Sequence, residues 1–141
     1  MTMIEEALTQ TTDTKACVIG PGATEAAARM FGELFPEARK AIVIDDPRTR
    51  AVAGARVIDL LKAAGRDVAE HVINPDGSDF HATYEKVEEV REAIAAADGA
   101  IPVAVRGGDR LAHLLHLLVG GVEVRAVGVD DMLGDGAPRR L

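Results

Sequence analysis

The chain has 141 residues, of which 48% are hydrophobic, 28% charged and 3% aromatic, and its formal net charge at pH 7 is −7. This length suits one domain whose core is built from Ala, Val, Ile and Leu, and the negative charge argues against binding of a nucleic-acid backbone as the main activity. The single cysteine, Cys17, excludes an intrachain disulfide and a cysteine-based metal cluster.

The start of the chain lacks a targeting pattern. Residues 1–14 have neither the charged nor the apolar region of a signal peptide, and no apolar run approaches membrane-spanning length. We therefore expect a cytoplasmic protein with no membrane partner and no nucleic-acid partner, with residues 1–14 as an N-terminal extension. The net negative charge does not exclude binding of a small anionic ligand, because such binding needs only local dipoles.

Beyond this extension, short apolar runs alternate with segments of helical periodicity. The apolar runs predict strands at residues 16–19, 40–45, 68–73, 100–105 and 122–127. The periodic segments predict helices at residues 24–35, 49–64, 84–97 and 111–118. Strands joined by helices of this length favour crossover connections and a mainly parallel sheet. We therefore predict an α/β fold, a Rossmann-like three-layer domain at residues 15–128, followed by a frayed tail at 129–141.

Two of the predicted helices have an apolar face that we expect to point into the core. In the helix at 49–64 the inward positions are Val52, Ala53, Val57, Leu60 and Leu61, and Gly65 is a plausible residue to end it. In the helix at 84–97 they are Val87, Val90, Ile94 and Ala97.

Ligands of such sheets bind outside the carboxyl ends of the strands, and three turns occupy that position. The first turn, residues 20–22 (GPG), is interpreted as a tight structural turn, because Glu25 stands where a dinucleotide fingerprint has its third glycine. The second follows the strand at 40–45 and contains Asp45 and Asp46. The Asp45 carboxylate is placed to accept hydrogen bonds from a ribose diol, and the equally open alternative is a turn or helix cap.

The third turn contains Gly107, Gly108 and Asp109, between a predicted strand and a predicted helix. Glycines there let backbone N–H groups approach a phosphate, and a following helix N-terminus favours the negative charge. A plain turn is the alternative interpretation. Asp109 could cap the helix, although its charge is unfavourable beside a phosphate unless Arg106 or Arg110 compensates.

Two histidines, His113 and His116, are three residues apart in the predicted helix at 111–118. No acidic residue or cysteine nearby completes a metal-binding set, so we interpret them as histidines at the edge of the core. No Ser, Cys or Lys lies in a recognisable nucleophile context. We therefore name no catalytic residue and no metal ligand in this chain.

The order of these segments resembles a known family. Residues 19–23 (IGPGA), 41–45 (AIVID) and 97–105 (ADGAIPVAV), with the helices between them, are similar to the N-terminal domain of the iron-containing alcohol dehydrogenase and dehydroquinate synthase superfamily. Within it the similarity is closest to sn-glycerol-1-phosphate dehydrogenases, and it covers roughly residues 15–105.

The resemblance implies a domain that binds NAD or NADP, joined in the family to a helical domain that supplies ligands to Zn, Fe or Ni. Asp45 falls where the family contacts the adenosine ribose, and Gly107 and Gly108 fall in the loop that holds the pyrophosphate. Asp109 stands at that loop's Ser/Thr position. The implied reaction is hydride transfer between NAD(P) and glycerol 1-phosphate or a similar polyol, in which the metal polarises the alcohol or carbonyl oxygen.

The sequence departs from the family pattern after Val105. Arg106 replaces the first loop glycine, and all four lysines of the chain precede this point. We hypothesise that the gene is truncated or frameshifted near Val105, and we expect no dehydrogenase activity from this product. The alternatives are a stand-alone α/β module that binds a nucleotide or another anion without catalysis, and an interaction domain that forms a homo-oligomer.

Overall fold

The computed structural model describes residues 1–12, 14–20, 22–78, 81, 83–107, 113–119 and 122–128, of which 19–20, 106–107, 113–119 and 122–128 are described as backbone. The strands are β1 (Thr14–Gly20), β2 (Lys40–Asp45), β3 (Asp67–Val72), β4 (Ile101–Gly107), β5 (His113–Val119) and β6 (Val122–Gly128). The helices are α1 (Met3–Thr9), α2 (Ala23–Leu34), α3 (Pro47–Thr49), α4 (Ala55–Ala63) and α5 (Tyr84–Ala96). A π-helical segment, Arg50–Gly54, joins α3 to α4.

The six strands form one sheet in the order β1-β6-β5-β4-β2-β3. Parallel pairing joins β1 to β6, β4 to β2 and β2 to β3, and only β5 runs antiparallel to its neighbours. This confirms the predicted α/β class with a mainly parallel sheet. Strand β2 lies in the middle of the parallel trio β4-β2-β3, where burial on both faces explains its unbroken apolar sequence.

The connections of this trio leave on opposite faces of the sheet. Helices α2 and α4 share a core with Val43 on one face, whereas α5 reaches the other face, where Glu89 contacts His71, the register partner of Ile44. The chain moves from β1 to β2 to β3 in one direction and then returns to β4. Crossovers of one hand must change face when the direction reverses. The carboxyl ends of β2 and β3 therefore flank a topological switch point.

The core on the α2 and α4 face is aliphatic with one aromatic centre. Phe31, Leu61, Val43, Val57 and Val103 are its largest fully buried apolar side chains. The Arg66 guanidinium lies 5.1 Å from the centre of the Phe31 ring, so a cation covers the edge of this cluster. The low aromatic content predicted this composition.

Two predicted helical faces need correction. The π-helical segment interrupts the helix predicted at 49–64, and its wider turn changes the angular position of the residues in it. Val52 is consequently 43% exposed, while Ala53, Val57 and Leu61 are buried as predicted. In α5, Val87 is 57% exposed rather than inward, because α5 contains no buried residue and lies only partly against the sheet.

The helix predicted at 111–118 is wrong, since residues 113–119 form strand β5. Strand β5 pairs antiparallel with both β4 and β6, the latter confirming the strand predicted at 122–127. The signal lay in the sequence: two apolar runs separated by Gly120 and Gly121 are typical of a β-hairpin. His113 and His116 are therefore on a strand, and the proposed frayed tail at 129–141 lies outside the described residues.

Candidate functional site

Asp45 is the last residue of β2 and ends the central parallel strand at the switch point. Its backbone pairs with Val72 of β3, and its carbonyl oxygen accepts a 2.7 Å hydrogen bond from the Ile73 N–H. Strand alternation places its side chain on the same face as Val43, towards α2 and α4. The residue is only 2% exposed, which is rare for a carboxylate.

The π-helical segment lies directly over this carboxyl group. Gly54, its last residue, has an ordinary helical φ of −59° and therefore does not need glycine for its backbone conformation. A Cβ atom at this position would overlap Oδ2 of Asp45. Glycine is thus required for space, and the close approach of Gly54 to Asp45 is a specific feature of the packing.

The Asp45 carboxyl has no hydrogen-bond donor among the described residues. A buried polar group without a partner is costly, so such a group calls for an explanation. Burial, followed by the nearby Glu70 carboxylate, raises the pKa of Asp45, and the positive charge of Arg50 lowers it; the net result is a pKa of about 7. A carboxyl that holds its proton close to neutral pH, at the ligand-binding edge of the sheet, is a candidate functional group.

An ion pair ties the π-helical segment to the neighbouring strand. Nε of Arg50 donates to Oε1 of Glu70 at 2.5 Å, and the Glu70 side chain is 22% exposed. Because Glu70 already accepts from Arg50, the guanidinium is turned towards β3 and does not hydrogen-bond to Asp45. The site therefore contains two carboxyl groups and one cation.

The adjacent carboxylate, Asp46, has the role of helix cap. Its Oδ1 accepts from the Thr49 N–H at 2.8 Å, and its own N–H donates to Oγ1 of Thr49 at 3.0 Å. This reciprocal pair begins α3, with Pro47 in the first turn. Two interpretations were left open for this turn, a helix cap and a ligand-binding carboxylate. Asp46 is the cap, and the Asp45 carboxyl makes no capping hydrogen bond.

The other predicted site residues are only partly placed. Gly107 is the last residue of β4 and pairs with His113 of β5. It lies at the same edge of the sheet as Asp45, because β4 and β2 are parallel, but a strand and not a helix follows it. The prediction that a helix dipole lies behind this turn is therefore wrong. Gly108 and Asp109 lie outside the described residues.

Sequence reasoning missed two members of the site, Gly54 and Glu70. An isolated glycine inside an apolar helical pattern is a recognised sign of close packing, so Gly54 could have been found. Glu70 interrupts an apolar strand, but nothing in the sequence shows which residue faces it. Of the predicted turn at 20–22, Gly22 directly precedes α2 with its backbone in the left-handed region at φ 74°, and residue 21 lies outside the described residues.

Within the part of the chain that the structure describes, no three His, Cys, Asp or Glu side chains are grouped so as to hold a metal ion. Among the same residues, no helix has the length and apolar character needed to cross a bilayer. A scan against protein-family models finds no match to this chain, and a search of curated proteins finds no significant match.

Proposed function

We propose that this chain binds the adenosine ribose of NAD or NADP at the carboxyl edge of β2 and β3, with Asp45 as the acceptor for the ribose hydroxyls. The observation that carries the proposal is the buried Asp45 carboxyl without a donor at the topological switch point. Open α/β sheets bind ligands at such points. On this proposal the chain is the cofactor half of a metal-dependent, cytoplasmic dehydrogenase of the glycerol-1-phosphate type.

The chemistry of a ribose diol matches what Asp45 lacks. The adenosine ribose of NAD offers two O–H donors on vicinal hydroxyl groups, whereas that of NADP keeps only the 3′-hydroxyl because its 2′-oxygen carries a phosphate. Among the described residues, neither oxygen of the Asp45 carboxyl has a donor. Hydrogen bonds to an ionised acceptor are roughly twice as strong as neutral ones. Because Gly54 covers the carboxyl in the free chain, the ribose reaches it only when the π-helical segment moves.

Binding of the cofactor's pyrophosphate near Gly107 has weaker support than binding of the ribose at Asp45. Gly107 offers backbone at the same edge, yet the strand that follows it removes the helix dipole expected to favour a pyrophosphate. We therefore expect the adenosine ribose to supply most of the affinity. The strand that follows Gly107 also favours a second candidate function, a module that binds any ribonucleotide without catalysis.

Calorimetric titration of the purified chain with NAD, NADP and ADP tests this proposal. We expect saturable binding that Asp45→Asn weakens by about tenfold or more, because one charge-assisted hydrogen bond contributes about 1.5–3 kcal/mol. Asp46→Asn is the matched control, since it removes the same charge and keeps a residue that caps helices well.

Equal binding by wild type and Asp45→Asn would refute the assignment of Asp45. Tighter binding of NAD than of ADP would favour a dinucleotide site, whereas equal affinities of NAD and ADP, which share the free ribose diol, would favour the general ribonucleotide module. Binding that Asp46→Asn weakens as much as Asp45→Asn would show that only net charge matters, and would also refute the assignment.

A further inference from the structure

We propose that the π-helical segment Arg50–Gly54 is a cover that a proton on Asp45 keeps closed. In the closed form the neutral carboxyl packs beneath Gly54. When Asp45 ionises, the segment opens so that water or a ligand can reach the carboxylate. The opening belongs to the free chain; its consequence for nucleotide access rests on the function proposed above.

The packing supports a closed state that suits a neutral group. Both carboxyl oxygens are buried without a donor, and Gly54 approaches so closely that a Cβ would overlap Oδ2. A protonated carboxyl loses far less hydration on burial than an ionised one does. The cover therefore fits the protonated side chain, and an ionised one must be either solvated or paired.

Among the residues whose side chains the structure describes, none supplies a partner for the ionised form. From β3, Glu70 presents a like charge, and Asp46 adds a second one from the same turn. From the segment itself, Arg50 is the attractive charge, but its guanidinium already donates to Glu70. From α4, Asp59 acts on Arg50 rather than on Asp45. On β4, the register partner of Ile44 is Ala104, and the next residue, Val105, is buried and apolar. Ionisation thus favours opening.

The segment is also built to move. A π-helical turn is a local irregularity that often marks functional positions in helices. Its first residue, Arg50, has a half-exposed side chain and is tied to β3 by one ion pair, and an ion pair with a solvated partner restrains only weakly. Val52 is already 43% exposed, so the apolar side chain that lifting the segment newly uncovers is the small one of Ala53.

The direction of the pH dependence follows from the two forms of Asp45. In the closed form the pKa is about 7, and in the open, solvated form it returns towards 3.8. The open form therefore releases its proton first as the pH rises. Opening increases from about pH 4 to pH 7 and then levels off, because above that pH both forms are ionised.

Hydrogen exchange of the free chain at pH 5 and pH 7 tests the cover, with each rate corrected for the intrinsic pH dependence of exchange. We expect protection at residues 50–54 to fall at least tenfold from pH 5 to pH 7 in wild type, and by less than about twofold in Asp45→Asn. Protection there should stay below that of β2 at both pH values, because the opening is local.

Glu70→Gln is the second variant, and it leaves Asp45 in place. Removing this like charge and freeing Arg50 lowers the pKa of Asp45, so the fall in protection should shrink. The proposal would be overturned if protection at 50–54 in wild type did not change with pH. It would also be overturned if protection in Asp45→Asn fell between pH 5 and pH 7 as much as it does in wild type. No nucleotide is present, so this result is independent of whether the proposed ligand binds.

Discussion

Gly54→Ala is expected to destabilise the fold by about 2–3 kcal/mol, because the added methyl group overlaps the Asp45 carboxyl and this part of the packing has no space to receive it. The sign is informative. At an ordinary helix-interior position, replacing glycine by alanine stabilises by up to about 1 kcal/mol. Urea unfolding at constant pH measures the difference in free energy of unfolding directly.

Gly32→Ala is the matched control for that substitution. Gly32 lies within α2, and a Cβ there would stand 3.1 Å from Nη2 of Arg66, the far end of a flexible side chain that can move aside. We expect a change within about 0.5 kcal/mol or a slight gain in stability. Asp45→Ala should make room for the methyl group of Gly54→Ala. The double variant should therefore lose less free energy of unfolding than the two single variants lose in sum. A Gly54→Ala chain as stable as wild type would contradict the observed packing.

Asp45→Asn is expected to change how stability depends on pH. The folded chain holds the Asp45 proton up to about pH 7, whereas the unfolded chain releases it near the ordinary value of 3.8. The stabilising contribution is therefore complete below about pH 4 and is lost as the pH rises to 7. Its size is at most about 4 kcal/mol, since the pKa differs by about 3 between the two states and each pKa unit corresponds to about 1.4 kcal/mol.

The measurement is the free energy of unfolding of wild type and variant at pH 5, 6, 7 and 8. Asparagine has nearly the same shape and does not titrate. The free energy of unfolding of the variant should therefore rise relative to that of wild type with each step up to pH 7, and the difference should persist at pH 8. Asp46→Asn serves as the control that removes a neighbouring charge without touching the buried carboxyl. A difference between Asp45→Asn and wild type that is constant with pH would mean that Asp45 titrates normally in the fold.

The parallel trio was the most predictable part of the fold. Strand β2 was predicted with its observed bounds because burial on both faces leaves an unbroken apolar run. The left-handed Gly65 after α4, at φ 84°, followed from the preference of glycine for that conformation. Features such as these were predictable because each depends on the residue types of one short segment and not on contacts between elements.

Tertiary contacts decided the rest. The runs at 113–119 and 122–128 are apolar enough for either a helix or strands, and the pair of glycines between them favours the hairpin. The π-helical segment is set by the fit of Gly54 over Asp45, which joins residues on different elements. Sequence periodicity assumes a regular helix, so it placed Val52 inward and the structure places it outward.

For the candidate site, the sequence identified one group whose environment it could not describe. Asp45 was singled out by its position at a strand end, and its neighbour Asp46 was an equally good cap by residue type. Only the capping hydrogen bonds of Asp46 separate their roles. The isolation of Asp45 arises from Gly54 above it and from the commitment of Arg50 to Glu70, and both are contacts between elements.

The most direct single measurement is a carbon-13 NMR titration of the Asp45 side-chain carboxyl, with and without saturating NAD. We expect a midpoint of about pH 7 in the free chain and a clearly lower midpoint with NAD, because ribose hydroxyls stabilise the ionised form. A midpoint near 4 that NAD leaves unchanged would contradict both the buried proton and its proposed role in binding.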